Sequence, residues 1–374
     1  MSKPIALLGG LTAEQFLSEY WQKKPLLVRG ALTDVGPHAD FAVLSELATR
    51  EDVESRLIEF KGGQLQLEHG PFKKNRFKRL PAGDWTILVQ SANHHLPHVA
   101  DILWQFDFLP YARLDDLMIS YAPPGGTVGP HFDSYDVFLL QVGGKKRWMI
   151  SGQEDVSLIE GAPLRILQHF EADETFDLEH GDMLYLPPKY AHYGVATEPG
   201  MTYSIGFRAP AADELANQFL MYLQDHVCAE GRYADPDLKA QSDPALISTE
   251  MVQQVSQILQ AVRWDESIVA DFLGHYLTEP KAHVFYDAPE SPLDEDAFAA
   301  AVTEKGVTLD LKSQILFVHD RMYCNGEALE VEAGEWDIWK KFANQRRLAA
   351  SNYSQTTLDA LFDGYLSGYW QVSR

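Results

Sequence analysis

Gly129-Pro130-His131-Phe132-Asp133-Ser134-Tyr135-Asp136 is the stretch of sequence that decides the fold. Side chains two residues apart on a β-strand point to the same face, so the His131 imidazole and the Asp133 carboxylate are expected to converge. Short apolar runs bounded by Gly and Pro recur around this stretch as far as about Pro210, and they predict an antiparallel sandwich or barrel. The runs are Leu117–Tyr121, Val137–Val142, Arg147–Ile150, Met183–Leu186 and Tyr203–Phe207.

A third metal ligand is expected from a distant strand. Gly181-Asp182 turns the chain, an apolar strand then crosses the barrel, and Pro187-Pro188 lead into His192. Two imidazoles and one carboxylate leave three positions open on an octahedral metal, as in non-haem iron(II) oxygenases. The mixed nitrogen and oxygen donors favour iron over calcium or a structural zinc. His131, Asp133 and His192 are therefore the predicted metal ligands and catalytic centre.

A 2-oxo acid cosubstrate with a second carboxylate needs a cation at its far end. Lys146 lies on the strand-like run that follows the ligand pair. Alternation places Lys146 and Trp148 on one face of this strand and Lys145 and Arg147 on the other. Since one face must enter the barrel, we expect Lys146 to be the cosubstrate-binding cation.

The two ends of the barrel sequence differ from its middle. Thr12-Ala13-Glu14-Gln15 predicts a capping box that starts an amphipathic helix, and Pro25–Gly30 predicts a strand. Beyond Pro210, apolar residues spaced from Leu215 to Val227 and from Met251 to Val262 predict two helices. Apolar faces on this helical unit favour a dimer interface, although packing on the barrel would also cover them.

The last third of the chain has the pattern of a winged-helix-like module. After a linker at Glu279–Pro292, it predicts helices and strand-like runs with a strong hairpin turn at Asn325-Gly326. These segments are Glu295–Glu304, Gln314–His319, Ala328–Val331, Trp336–Leu348 and Leu358–Trp370. Such modules often bind DNA, but the small basic cluster here favours a protein-interaction or lid role. The cluster is Lys340, Lys341, Arg346 and Arg347.

The composition limits the class of protein and of partner. A chain of 374 residues with 45% hydrophobic and 23% charged residues predicts two or three globular domains. The net charge of −23 repels nucleic acid and favours a basic partner. We expect no membrane span and no exported leader. Cys228 and Cys324 lie far apart, which fits free thiols in a reducing cytoplasm.

Over nearly its whole length the sequence resembles the JmjC family, and more closely its bacterial ribosomal oxygenases. These enzymes hydroxylate an arginine of large-subunit ribosomal protein sixteen. The resemblance rests on Pro25-Leu26-Leu27, Asp115–Ser120, Pro124–Asp136 and the strand ending at Trp148. It implies an α+β chain with a double-stranded β-helix, that is, a jelly-roll or cupin-like catalytic domain at 1–210. A helical dimerisation domain at 211–280 and a winged-helix-like domain at 281–374 would follow.

The resemblance also implies the chemistry and the site. Iron(II) would be bound by the three ligands above, 2-oxoglutarate and dioxygen would be cosubstrates, and Lys146 and Ser120 would contact the 2-oxoglutarate. Bacterial relatives often carry arginine in place of Lys146, and Ala122 replaces a polar residue of some relatives. A homodimer would act on the arginine β-carbon of a basic ribosomal protein. The substrate pocket would consist of Asp116, Met118, Tyr135 and Ser204.

Three alternatives stay open at this point. A cupin-type isomerase or dioxygenase would use iron without 2-oxoglutarate, although Lys146 argues against it. A non-catalytic protein would bind a partner or nucleic acid through the winged helix, which the complete ligand set disfavours. A JmjC enzyme with another protein substrate would hydroxylate a histidine or remove an N-methyl group.

Overall fold

Two antiparallel sheets form the N-terminal part of the computed structural model, which describes residues 3–35, 39–62, 64–226 and 231–373. The strands are β1 (Leu26–Val28), β2 (Ser55–Lys61), β3 (Gln64–His69), β4 (Trp85–Val89), β5 (Leu114–Ala122), β6 (His131–Phe132), β7 (Asp136–Val142), β8 (Lys145–Ser151), β9 (Glu174–Glu179), β10 (Met183–Leu186), β11 (Ala191–Ala196) and β12 (Gly200–Phe207). The larger sheet has the order β1-β10-β7-β12-β5-β4-β2-β3, and the smaller has the order β6-β11-β8-β9.

Strand β7 is buried on both faces and joins the two hydrophobic cores of the barrel. Phe138 and Leu140 belong to the core under the N-terminal helices. Val137 and Leu139 pack instead with Trp148 of the smaller sheet. Because successive side chains of a strand alternate, one continuous apolar run can fill both cores. The predicted antiparallel jelly-roll architecture is confirmed, whereas β2, β3, β4 and β9 were not predicted.

Short helices cover the outer face of the larger sheet. They are α1 (Ala13–Glu19), α2 (Phe41–Leu47), α3 (Lys74–Phe77) and α4 (Pro97–Leu103). The capping box predicted for α1 is present, since Thr12 Oγ1 accepts from the Gln15 N–H at 3.2 Å and Gln15 Oε1 accepts from the Thr12 N–H at 2.9 Å. Phe16 anchors α1, with its ring 5.0 Å from that of Tyr185.

Three helices follow the barrel, of which two were predicted. They are α5 (Ala212–His226), α6 (Thr249–Ala261) and α7 (Glu266–Thr278). Val227, which ended the first predicted helix, and Cys228 lie outside the described residues. α7 was missed, and it packs through Gly274 on the ring of Tyr323 in the C-terminal part. Within the described ranges, no helix is both long and apolar enough to cross a bilayer.

The C-terminal part combines helices with two three-stranded sheets. Its elements are α8 (Glu295–Lys305), β13 (Val307–Leu309), β14 (Ile315–Val318), β15 (Arg321–Cys324), β16 (Glu327–Leu329), α9 (Trp336–Gln345), β17 (Arg347–Leu348), α10 (Gln355–Leu366) and β18 (Trp370–Val372). The Asn325-Gly326 turn is confirmed, but it joins β15 to β16, and β14 pairs with β15. α9 and α10 end earlier than predicted because the residues after them form β17 and β18 beside β13.

Arg346 does not belong to a surface basic cluster, contrary to the prediction. Its guanidinium lies 3.9 Å from the ring centre of Trp104 in the catalytic part. It also donates to the carbonyl oxygens of Ser313 at 3.0 Å and Asp310 at 2.8 Å. The side chain is buried, so it serves the contact between the C-terminal module and the barrel rather than an external partner.

Candidate metal centre and active site

The pairing of β6 with β11 places His131 directly opposite His192. The two rings lie 4.2 Å apart between centroids, and Asp133 Oδ2 is 3.6 Å from His192 Nε2. One ligand atom from each of the three residues lies within 4.8 Å of the others. The structure therefore brings together the three side chains that the sequence singled out, although β6 itself contains only two residues.

Backbone hydrogen bonds fix the orientation of both imidazoles. His131 Nδ1 is 2.9 Å from the carbonyl oxygen of Gly129, and His192 Nδ1 is 2.9 Å from that of Tyr190. A proton on each Nδ1 leaves the Nε2 lone pair free to bind a metal. The turn before His192 is also tied to the other ligands, since the Lys189 N–H donates to the Asp133 carbonyl at 2.7 Å.

Burial keeps the His192 imidazole neutral. Burial, helped by the neighbouring His131, lowers the pKa of His192 to about 4. A neutral imidazole is the form that binds a metal, so the site does not have to lose a proton from His192 near pH 7. Two imidazole nitrogens and one carboxylate fit iron(II) with open coordination positions.

Lys146 points into the barrel from β8 and is buried together with Trp148, while Lys145 and Arg147 face outward. Its ammonium donates to Thr202 Oγ1 at 3.2 Å and lies 4.6 Å from the ring centre of Trp148. Burial alone lowers the pKa of Lys146 to about 8. Among the described residues no carboxylate is ion-paired with Lys146. A bound 2-oxo dicarboxylate would supply the negative charge that this ammonium needs.

Asp116 is a buried carboxylate on β5. Its Oδ2 accepts three hydrogen bonds, from Gln90 Nε2 at 2.8 Å, the Ser91 N–H at 2.8 Å and Ser91 Oγ at 2.7 Å. Ser91 has φ +49°, a left-handed conformation that is unusual for a residue other than glycine. Burial raises the pKa of Asp116, and the charge of Lys281 and the side-chain hydrogen bonds from Ser91 and Gln90 oppose that rise.

All the predicted site residues line one cavity of about 360 Å³. They are His131, Asp133, His192, Lys146, Ser120, Asp116, Met118, Tyr135 and Ser204. Ser120 pairs with Thr202, the partner of Lys146, so the lysine lies beside the Ser120 end of β5. Asp116 is four residues away on the same strand, which is roughly 13 Å. Ala122 does not line the cavity.

Several residues that line the cavity or support Asp116 from behind it were not predicted. Gln90 and Ser91 follow β4, which the sequence did not predict, and no motif distinguishes them. Arg56 on β2 donates to Gln90 Oε1 at 3.1 Å and so reaches Asp116 only through Gln90. Arg165 also lines the cavity from the loop after β8. A prediction of β4 beside β5, and of β2 beside β4, would have pointed to Gln90 and Arg56.

Comparison with known families and proteins agrees with this geometry. A JmjC domain profile matches residues 101–215, and a ROXA-like winged helix profile matches residues 261–371. The ribosomal protein uL16 3-hydroxylase of Escherichia coli K12 is 32% identical over 365 residues, covering 95% of this chain and 96% of the relative. This chain belongs to the JmjC ribosomal oxygenase family. A probable ribosomal oxygenase of Haemophilus influenzae, another relative of the family, is 30% identical over 94% of this chain and 93% of its own.

Solved structures extend the comparison from sequence to fold. The Escherichia coli ribosomal oxygenase YcfD in complex with cobalt and 2-oxoglutarate superposes with a TM-score of 0.83. It is 30% identical, and the match covers 96% of this chain and 98% of that chain. The fold of this ribosomal oxygenase, including its C-terminal winged helix, is therefore that of its family. The boundaries placed at 210 and 280 stay predictions.

Proposed function

We propose that this chain is an iron(II)- and 2-oxoglutarate-dependent oxygenase that hydroxylates the β-carbon of an arginine in a basic protein of the large ribosomal subunit. The observation that carries the proposal is one cavity with three converging metal ligands and two buried, oppositely charged side chains. In the described part of the chain, Lys146 has no direct acidic partner and Asp116 no direct basic one. Each charge is suited to a ligand of opposite sign.

The three ligands and Lys146 divide the binding of metal and cosubstrate between them. His131, Asp133 and His192 would hold the iron, and Lys146 with Ser120 would bind the far carboxylate of 2-oxoglutarate. Iron, dioxygen and 2-oxoglutarate together supply the oxidising chemistry, which yields succinate and carbon dioxide and places one oxygen atom on the substrate. The protein orients the reactants and excludes water, for which the buried Trp148 beside Lys146 is suited.

The other end of the cavity would bind the substrate side chain. Asp116 offers its second oxygen, Oδ1, to a guanidinium, because its donors all converge on Oδ2. Met118 and Tyr135 provide apolar contacts for the side-chain stem, and Ser204 provides a hydroxyl. The net charge of −23 favours a basic protein substrate. The substrate class is taken from the Escherichia coli relative, whose name specifies ribosomal protein uL16.

Demethylation or histidine hydroxylation by the same centre is the main competing activity. A demethylase and histidyl-hydroxylase NO66 of Dictyostelium discoideum is 37% identical to this chain, but over only 20% of it. The buried Asp116 favours a permanently charged arginine over a neutral histidine. A cupin enzyme that does not use 2-oxoglutarate would have no need for the buried Lys146.

Incubation with iron(II), ascorbate, 2-oxoglutarate and ribosomal proteins tests the proposal. We expect succinate release and a mass gain of one oxygen atom on an arginine-containing peptide of uL16. A gain on a histidine, or loss of a methyl group, would establish the competing activity. No turnover of 2-oxoglutarate with any ribosomal extract would overturn the oxygenase assignment.

We also propose that the helical unit forms a homodimer and that the enzyme acts in the cytoplasm, where ribosomal proteins are made. α6 has no buried residue among those described, and Val252 and Leu259 on it are 55% and 65% exposed. Apolar surface of this kind favours a partner. Sedimentation should show a dimer that Leu259→Glu dissociates and that the control Gln260→Glu preserves. A wild-type monomer would exclude the dimer.

A further inference from the structure

A second hollow of about 390 Å³ adjoins the catalytic cavity. The two share Asp115, Ser134 and Tyr135 as lining residues. We infer that this hollow is a second substrate subsite, which binds a lysine or arginine side chain close to the hydroxylated residue in the substrate sequence. The inference rests on the proposed function and deepens it, since it makes recognition depend on two basic side chains.

The position of the hollow suits a neighbouring residue of the same substrate chain. Asp116 lines the catalytic cavity but not the hollow. Asp115, the residue before it on β5, lines both spaces. Consecutive residues have Cα atoms about 3.8 Å apart, so the two spaces meet within the reach of one short peptide segment. Flanking residues of a substrate whose target side chain enters the cavity can therefore pass across Ser134 and Tyr135, which line both spaces.

The charges of the hollow select a cation. Its two basic residues are already engaged, because Asp115 Oδ1 lies 3.2 Å from Arg208 Nε and 3.0 Å from Lys281 Nζ. Its two glutamates, Glu214 and Glu279, form no ion pair with any residue that the structure describes. Three carboxylates and two cations line the hollow, so its net charge is −1, which disfavours an anionic side chain as the occupant.

The walls fit the long apolar stem of a basic side chain. Pro210 and Pro280 line the hollow together with the rings of Tyr135 and Tyr276. The Tyr276 hydroxyl donates to Glu214 Oε1 at 2.6 Å and so holds that carboxylate in place. Lysine and arginine bury their methylene groups against such surfaces while the charged end reaches a carboxylate.

A double-mutant cycle between enzyme and substrate tests the subsite. The substrate is a peptide of the basic ribosomal protein, and each lysine or arginine that flanks its hydroxylated residue is replaced by glutamine in turn. The enzymes are wild type, Glu279→Gln and the control Glu290→Gln, which makes the same change at an exposed linker residue outside the hollow. KM for the peptide and kcat are measured separately.

We expect one flanking replacement to raise KM about two- to fivefold in wild type and in Glu290→Gln, the range for a single exposed ion pair. In Glu279→Gln the same replacement should have little further effect, because the pair is already broken. Equal effects of every flanking replacement in wild type and Glu279→Gln would overturn the subsite while leaving the hydroxylase intact. A wild-type enzyme that hydroxylates no ribosomal peptide would overturn both.

Discussion

The cosubstrate end and the substrate end of the cavity hold opposite charges in differently built surroundings. The Lys146 ammonium lies beside a hydroxyl and an aromatic ring, with no ion-paired carboxylate among the described residues. Asp116 has three donors on one carboxylate oxygen. Burial lowers the pKa of Lys146 to about 8 and raises that of Asp116. The hydrogen bonds fix the position of the Asp116 carboxylate before the substrate arrives, and burial disfavours both charges until a ligand of opposite sign binds.

This difference separates the roles of the two ends experimentally. A substitution at the lysine end should change KM for 2-oxoglutarate. A substitution at the aspartate end should change KM for the peptide. The metal ligands lie in the same cavity, so their loss should abolish turnover irrespective of either ligand concentration.

Loss of a metal ligand should have the largest effect. His131→Ala or His192→Ala removes one of three ligands, and we expect no turnover above background together with loss of high-affinity metal binding. Calorimetric titration with cobalt(II) and succinate release measure the two effects. The control His169→Ala removes an exposed imidazole away from the centre. Unchanged cobalt affinity in either variant would disprove the assignment of these ligands.

Replacement of Lys146 should have the next largest effect, confined to the cosubstrate. Lys146→Met removes the positive charge that would bind the far carboxylate of 2-oxoglutarate. We therefore expect KM for 2-oxoglutarate to rise at least about thirtyfold. Lys146→Arg should restore part of the affinity because it restores the charge. Lys145→Gln, on the outward face of the same strand, is the matched control. An unchanged KM in Lys146→Met would exclude the lysine from cosubstrate binding.

The pH dependence of cosubstrate binding follows from the same lysine. Because the ammonium has a pKa of about 8 in the free enzyme, it is charged below pH 8 and becomes neutral above it. KM for 2-oxoglutarate should therefore rise as pH increases through about 8, and the Lys146→Arg variant should show no such rise. A wild-type KM that stays flat to pH 9 would contradict the depressed pKa.

Replacement of Asp116 should affect the substrate and leave the cosubstrate alone. Asp116→Asn keeps the shape but removes the charge, and we expect KM for the peptide to rise about thirtyfold, as for loss of a buried charged partner. KM for 2-oxoglutarate in the absence of peptide should not change. Asp107→Asn, at an exposed position, controls for the loss of a negative charge. Equal effects on both ligands would argue against separate ends.

The cosubstrate end could be predicted from sequence more completely than the substrate end. His131 and Lys146 lie on strands whose alternation assigns each side chain to a face, Asp133 follows just beyond the end of β6, and His192 follows a recognisable turn. Asp116 was also predicted, through the family resemblance, but Gln90 and Ser91 were not. They reach Asp116 from the end of β4, and pairing between strands distant in sequence does not follow from local patterns.

The C-terminal module shows the same limit. The Asn325-Gly326 turn was predicted correctly because both of its residues have positive φ, which local sequence encodes. The ends of α9 and α10 were not, because β17 and β18 form only by pairing with β13. Arg346 looked like part of a surface cluster, since nothing in its neighbourhood along the chain indicates the contact with Trp104.

Replacement of Ser91 should have the smallest effect. Two variants distinguish its role in orienting Asp116 from the strain in its own backbone. Ser91→Ala and Ser91→Gly both remove the hydroxyl that donates to Asp116, so both should raise KM for the peptide about threefold, as for one lost hydrogen bond. At φ +49° an alanine backbone remains strained and a glycine backbone does not. The free energy of unfolding in urea should therefore be about 1 kcal/mol higher for Ser91→Gly than for Ser91→Ala. Ser18→Ala on α1 is the control for loss of a serine hydroxyl. If KM for the peptide rose more in the less stable Ser91→Ala than in Ser91→Gly, Ser91 would act through the stability of the fold and not through the orientation of Asp116.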